Sequence, residues 1–171
     1  MSWWKKALYD TCSLITLDKL LLERVALTRH FPTSIIALEE SFSADQLREE
    51  TATRMRPRVT LHPLPTPTQL ARLLASKKLS KAISQVDRLI YATAVNSQLS
   101  VVTGDARLAK AVRSKKIQVG NLALILRELV LTNKLSKTAC EKLLLSLASR
   151  RDYILGMPTP YWADLRDYSF P

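Results

Sequence analysis

Short apolar runs alternate along this chain with longer stretches whose apolar positions recur at helical spacing. Ala7-Leu8-Tyr9 reads as a buried strand. Ser13 to Leu27 reads as a helix, with Leu14, Leu17, Leu21 and Val25 on one face. Ser34-Ile35-Ile36 is a second strand, followed by a helix over about residues 37–52. Val59-Thr60-Leu61 is a third strand, stopped by a rigid turn at Pro63, Pro65 and Pro67. Helices are predicted over Thr68 to Ser76 and Lys81 to Asn96. A strand over Ser100 to Thr103, a helix over Ala106 to Arg113 and a strand over Ile117 to Val119 complete the series. Strands that alternate with helices imply an α/β fold with a mainly parallel central sheet and helices on both faces, a three-layer α/β/α sandwich.

After Val119 the alternation stops. Asn121 to Thr132 and Ser136 to Arg150 predict two helices joined at Asn133-Lys134-Leu135, a helical hairpin. Ala139, Leu143 and Leu147 form an apolar stripe on the second. That stripe either packs on the sheet or offers a surface to a partner. From Gly156 an extended tail is expected, held down by Tyr161, Trp162, Tyr168 and Phe170. The chain therefore divides into residues 1–120, carrying the sheet, and residues 121–171, a hairpin and tail packed on the same domain.

Composition changes this picture in one respect. The 171 residues are 47% hydrophobic, ordinary for a globular protein, but 26 Lys and Arg stand against 15 Asp and Glu, a net charge of +11. Such an excess favours a polyanionic partner. With three glycines (Gly104, Gly120, Gly156) there is no Gly-rich phosphate loop. His30 and His62 are isolated, which removes a histidine zinc site and a Ser-His-Asp triad. Cys12 and Cys140 lie far apart in helical patterns and read as small buried thiols of a reducing cytoplasm. No signal peptide and no membrane span are predicted, so a cytoplasmic protein without a membrane partner is expected.

The candidate chemistry lies in the acids. In a parallel sheet, functional groups gather at the carboxyl ends of strands. Asp10 follows the first predicted strand, Glu39 and Glu40 the second, and Asp105 the strand ending at Thr103. Ile83, Asp87, Ile90 and Ala94 share one helical face, which puts Asp87 on an apolar stripe. A buried carboxylate there requires a cation or a hydrogen-bond network. Either Asp10 or Asp105 alone also reads as the N-cap of the next helix. Converging acids without histidine or cysteine select Mg²⁺ or Mn²⁺. An acidic centre in a basic protein suits a phosphodiester substrate.

These residues resemble the PIN-domain family. Ala7-Leu8-Tyr9-Asp10-Thr11-Cys12-Ser13-Leu14-Ile15 looks like its first strand and helix start, and Thr33-Ser34-Ile35-Ile36-Ala37-Leu38-Glu39-Glu40 like its second strand and glutamate. Asp87-Arg88-Leu89-Ile90-Tyr91-Ala92-Thr93-Ala94, then Val101-Val102-Thr103-Gly104-Asp105, looks like its third acid, helix and fourth acid. The resemblance covers about residues 6–120, and the hairpin is similar to the C-terminal extension of some VapC-type toxins. It implies a PIN-like sandwich and Mg²⁺- or Mn²⁺-dependent endoribonuclease activity. Asp10, Glu40, Asp87 and Asp105 become metal ligands, with Glu39 as the alternative glutamate. Thr103 becomes a supporting hydroxyl, and Thr11 a group that orients Asp10. The partners implied are RNA, a small antitoxin and a second copy in a homodimer.

Two positions depart from the family pattern: Arg88 stands where alanine is usual and Gly104 where a polar residue is common. Arg88, Arg107 and Lys110 are the candidate substrate contacts. Arg54, Arg56 and Arg58 read as a solvated charged run. Trp3 and Trp4 either stack on bases or cover the core or a dimer interface. The competing reading is a PIN-like module that binds nucleic acid without cutting it. A phosphotransfer domain of receiver or phosphatase type, with Asp10 as nucleophile, usually needs further motif residues, and its phosphatase version fits badly because position 12 is Cys.

Overall fold

Leu8–Tyr9 (β1) is the middle strand of a five-stranded sheet. The others are Ile35–Ala37 (β2), Val59–Leu61 (β3), Val101–Val102 (β4) and Val119–Gly120 (β5). The computed structural model describes residues 2–31, 35–43, 45–75, 79, 82–152 and 160–170. The strand order is β3-β2-β1-β4-β5, and every pairing is parallel. Leu8 lies between Ile36 and Val101, and Tyr9 beside Val102. All but Ile36 are buried, as expected of inner strands covered on both faces.

Eight α-helices occur among the described residues: Thr11–Glu23 (α1), Glu49–Met55 (α2), Pro67–Leu74 (α3), Gln85–Ser97 (α4), Ala106–Arg113 (α5), Leu122–Leu131 (α6), Lys137–Ser149 (α7) and Trp162–Asp167 (α8). Right-handed crossovers sort them. The chain runs from β1 to β2 to β3 in one direction across the sheet, then returns past β1 to β4 and β5. The helices of the first leg therefore cover one face and those of the second leg the other. Accordingly α1 packs with α2, α6 and α7, while α4 packs with α3 and α5. The result is an α/β/α sandwich.

Local chemistry starts these helices. Asp10, Ser84, Asp105, Asn121 and Ser136 are N-caps whose side chains accept a first-turn amide. Thr66 and Gln69 form a reciprocal capping box behind Pro67. Because Asp10 caps, α1 begins at Thr11, and it gives way at Glu23 to a 3₁₀ turn over Val25–Arg29. Because Ser84 caps, α4 begins at Gln85. Residues 76–78 and 80–81, in the predicted helix starting at Lys81 and just before it, lie outside the described residues.

The predicted helix over residues 37–52 is not formed as one piece. β2 extends to Ala37, a 3₁₀ turn occupies Glu39–Phe42, and α2 starts only at Glu49. Ser43 and Arg48 are extended, with ψ of 149° and 142°, and break the helical bonding; between them the Ser43 carbonyl accepts from the amides of Gln46 and Leu47 in a single turn. Residue 44 lies outside the described residues. The tail also differs from the expected extended form. It carries α8 and buries Leu165, Tyr168 and Phe170. Asn121 Nδ2 donates to Tyr168 Oη at 2.7 Å, Arg127 Nη1 to the Tyr168 carbonyl at 2.6 Å and Arg113 Nη2 to the Phe170 carbonyl at 3.0 Å.

The apolar stripe of α7 serves the interior: Ala139, Leu143 and Leu147 are buried, and α7 packs on α1. Trp4 is in the core, with its ring 5.4 Å from that of Phe31. Trp3 lies over Gly120, where an added Cβ would stand 2.7 Å from the indole ring. Neither tryptophan is a free stacking platform. No described helix is long and apolar enough to cross a membrane.

Candidate active site

The direction of the chain reverses between β1 and β4. From β1 it leaves toward β2, and from β4 it leaves the other way toward β5. Connections that diverge from adjacent parallel strands open a crevice at their carboxyl ends. Asp10 is the first residue after β1, and its amide still donates to the Val102 carbonyl at 3.1 Å. Thr103 is the first residue after β4 and Asp105 the third.

Asp10 is 1% exposed. Its Oδ1 accepts the Ser13 amide at 2.6 Å, and its Oδ2 accepts the Thr103 hydroxyl. The Thr103 oxygen in turn accepts the Asp105 amide at 2.9 Å, so one buried hydroxyl joins the two acids. Burial is the largest influence on the Asp10 carboxyl, and these hydrogen bonds oppose it. With added repulsion from Asp87, the pKa is pushed up to about 6.

Asp105 is half-buried and caps α5 through the amides of Arg107 at 2.6 Å and Leu108 at 2.9 Å. Asp87 is half-buried in the first turn of α4. Ile83 precedes that helix, so the expected stripe begins at Asp87 itself. Ser84 Oγ accepts the Asp87 amide at 3.1 Å and donates to Asp87 Oδ2 at 2.7 Å. Burial and the charge of Asp105 still hold the Asp87 carboxyl above its ordinary range. Asp10 feels Asp87 and Asp87 feels Asp105, which makes a chain of mutual repulsion. No arginine or lysine among the described residues pairs with any of the three.

The fourth expected acid follows the neighbouring strand, β2. Glu40 sits in the 3₁₀ turn after β2, half-buried, and is not among the charges acting on Asp10, Asp87 or Cys12. The alternative, Glu39, is exposed and paired with Arg56, whose Nη1 donates to Oε2 at 3.1 Å. Glu39 is therefore committed. Two of the three arginines read as a solvated run hold ion pairs, since Arg54 grips the buried Asp18 at 2.9 and 2.6 Å. Thr11 does not orient Asp10: its hydroxyl is buried with no hydrogen-bond partner among the described residues.

Among the substrate candidates, Arg107 and Lys110 are exposed on α5. Arg107 Nη1 donates to the Ala82 carbonyl at 3.4 Å. Arg88 is half-buried, with Nε donating to the Ile83 carbonyl at 3.3 Å. Cys140 is buried, but Cys12 is exposed, which corrects the expectation of two buried thiols. Desolvation and the charges of Asp10, Asp87, Asp105 and Asp152 push the Cys12 thiol up to about 11, so it stays protonated at neutral pH.

Two site features were missed in the sequence. Ser13 and Ser84 hold Asp10 and Asp87, and their signal was the position three residues from the acid at a helix start. Asp152, just past α7, faces the same region. Thr16 Oγ1 and Lys19 Nζ donate to its Oδ2 at 2.9 and 2.8 Å. A cleft of about 470 Å³ opens here, lined in part by Cys12, Ser13, Asp105, Asn121, Arg151 and Asp152.

Among the described residues, no three His, Cys, Asp or Glu side chains lie close enough together to hold a metal ion. The expected four-carboxylate set is thus not drawn into one coordination sphere. The donor chemistry still fits a hard cation. These carboxylates have no cationic partner among the described residues, and Mg²⁺ usually keeps several waters and binds through one or two carboxylates. No protein-family model matches the chain, and no curated protein is significantly similar to it.

Proposed function

We infer that the chain is a metal-dependent endoribonuclease of PIN-like type. One observation carries this reading. Asp10, Asp87 and Asp105 follow or begin three separate elements at the reversal point of the sheet; Asp87 repels Asp10 and is repelled by Asp105, with no cationic partner among the described residues, in a chain of net charge +11. Uncompensated carboxylates in such a place call for a divalent cation, Mg²⁺ or Mn²⁺. A basic exterior calls for a phosphodiester polyanion, RNA.

One or two of Asp10, Asp87 and Asp105 would contact the ion, with waters filling the rest of its shell. When bound, the ion supplies charge neutralisation at phosphate and an acidified water. The protein does the positioning. The Ser13 amide fixes Asp10 Oδ1, and the Thr103 hydroxyl ties Asp10 Oδ2 to the backbone of Asp105. Arg107 and Lys110 stand on the helix capped by Asp105 and meet the RNA backbone, with Arg88 beside Asp87.

The test is cleavage of a single-stranded RNA in Mn²⁺ or Mg²⁺. Activity should vanish in EDTA and fall at least 100-fold in Asp87→Asn, with the circular dichroism spectrum unchanged. Equal cleavage in EDTA overturns the reading.

A module that binds without cutting is the second reading. It is favoured by the full commitment of both Asp10 oxygens to protein donors. Salt-dependent RNA binding with no turnover in Mn²⁺, unaffected by Asp10→Asn, selects it. A cytoplasmic location, a homodimer and a small antitoxin accompany the family resemblance. Sedimentation of the purified chain tests the dimer.

A further inference from the structure

Helix α7 ends in a geometry that fixes the two residues after it. The Asp152 amide donates to the Leu147 carbonyl at 2.9 Å and the Arg151 amide to the Ala148 carbonyl at 3.0 Å. Arg151 takes a left-handed φ of 57° between them. This is a Schellman ending, and its left-handed position favours glycine. An arginine stands there instead. Thr16 and Lys19 then pin the Asp152 carboxylate to α1, the helix that Asp10 caps. The chain is thereby anchored on both sides of Arg151.

The cations nearby are otherwise occupied. Lys19 is spent on Asp152 at 2.8 Å and Arg150 on Glu23 at 3.0 Å. The Arg151 side chain is exposed, lines the cleft along with Asp105, and has no hydrogen bond or ion pair among the described residues. The first turn of α6, with Leu122 and Ala123, lines the same cleft and adds the partial positive charge of a helix start. Among the described residues the cleft is thus lined by two acids, Asp105 and the Lys19-paired Asp152, and by one cation, Arg151.

We propose that this cleft is the substrate channel and that Arg151 binds a backbone phosphate of single-stranded RNA beside the scissile one. The C-terminal hairpin is then one wall of the substrate site. The proposal rests on the ribonuclease reading for the identity of its ligand. A guanidinium suits the task because its planar fork matches two phosphate oxygens.

Cys12 reports occupancy. It lines the cleft and is exposed, whereas the other cysteine, Cys140, is buried. The full-length chain is titrated with a fluorescent single-stranded RNA in EDTA, where a metal-dependent enzyme does not cut. Affinity is measured against salt, and N-ethylmaleimide labelling of Cys12 is followed by mass spectrometry with and without RNA. Arg151→Gln should weaken binding about threefold to fivefold and reduce the salt slope by about 0.7, while Arg151→Lys keeps the slope. RNA should slow Cys12 labelling in the wild type.

RNA that binds without protecting Cys12 overturns the channel. Protection with unchanged affinity in Arg151→Gln overturns the role of Arg151, and failure to bind RNA overturns both. Binding and protection followed by no cleavage in Mn²⁺ leave the RNA channel and the Arg151–phosphate contact standing and remove the nuclease reading, and with it the scissile phosphate.

Discussion

Replacing Asp10 by asparagine should stabilise the metal-free protein near neutral pH. In the fold the Asp10 carboxyl titrates near pH 6, against an ordinary 3.8, because burial penalises its charged form more than the Ser13 and Thr103 hydrogen bonds favour it. The sign follows from linkage. A carboxyl whose pKa is raised by folding adds stability below pH 3.8, where it is protonated in both states, and that advantage is lost as the pH rises through about 6. At pH 7.5 the ionised group therefore burdens the fold by about 3 kcal/mol.

Asparagine removes the charge but keeps an oxygen for the Ser13 amide, so the helix cap survives. It disturbs the Thr103 link, because that hydroxyl already accepts the Asp105 amide and would have to find a new acceptor, at about 1 kcal/mol. The net gain at pH 7.5 is about 2 kcal/mol. For a domain of this size that is a rise of roughly 4–8 °C in Tm. At pH 4.5 most of the gain should be gone. Thermal unfolding followed by circular dichroism at the two pH values, in EDTA, measures it. Equal destabilisation by Asp10→Asn at both pH values would refute the reasoning and reduce Asp10 to a helix cap.

The same charge makes Mn²⁺ a stabiliser: millimolar Mn²⁺ should raise the wild-type Tm at pH 7.5, and the rise should shrink at pH 5 and in Asp87→Asn. Thr103→Val leaves the Asp105 amide without its acceptor and Asp10 without its donor; a loss of about 1–3 kcal/mol in urea unfolding is expected, together with lost RNA cleavage. Gly120→Ala puts a methyl 2.7 Å from the Trp3 ring and 2.9 Å from Leu124, and should cost about 1–3 kcal/mol with a shift in tryptophan fluorescence. Deleting residues 121–171 strips α6 and α7 from α1 and exposes apolar surface now buried under Leu126, Leu129, Leu143 and Leu147. An insoluble fragment is expected on expression; a soluble, folded one would show the hairpin to be dispensable.

The parallel alternating architecture was legible because its signals are local. Val59-Thr60-Leu61 and Ala106 to Arg113 form the predicted elements with the predicted bounds. A short apolar run or a capping Asp acts over a few residues and needs no tertiary context. The placement of Asp10, Thr103 and Asp105 followed from the same source, since all three lie within three residues of a strand's carboxyl end. Where two local preferences compete, the sequence was a poor guide. Residues 37–52 carry helical spacing, but extended backbone at Ser43 and Arg48 splits them, and Glu40 sits in a 3₁₀ turn instead of the predicted helix.

Only the folded chain decided what distant residues do to one another. Thr103 meets Asp10 across 93 positions, Arg54 meets Asp18 across 36, and Thr16 meets Asp152 across 136. Such contacts depend on how helices dock, and no periodicity records that. The exposure of Cys12, the commitment of Glu39 to Arg56 and the entry of Arg151 into the cleft belong to the same class. Charge adds a further reason. The acidity of Asp10 reflects its burial and the presence of Asp87, and both exist only once α1 and α4 are packed on opposite faces of one sheet.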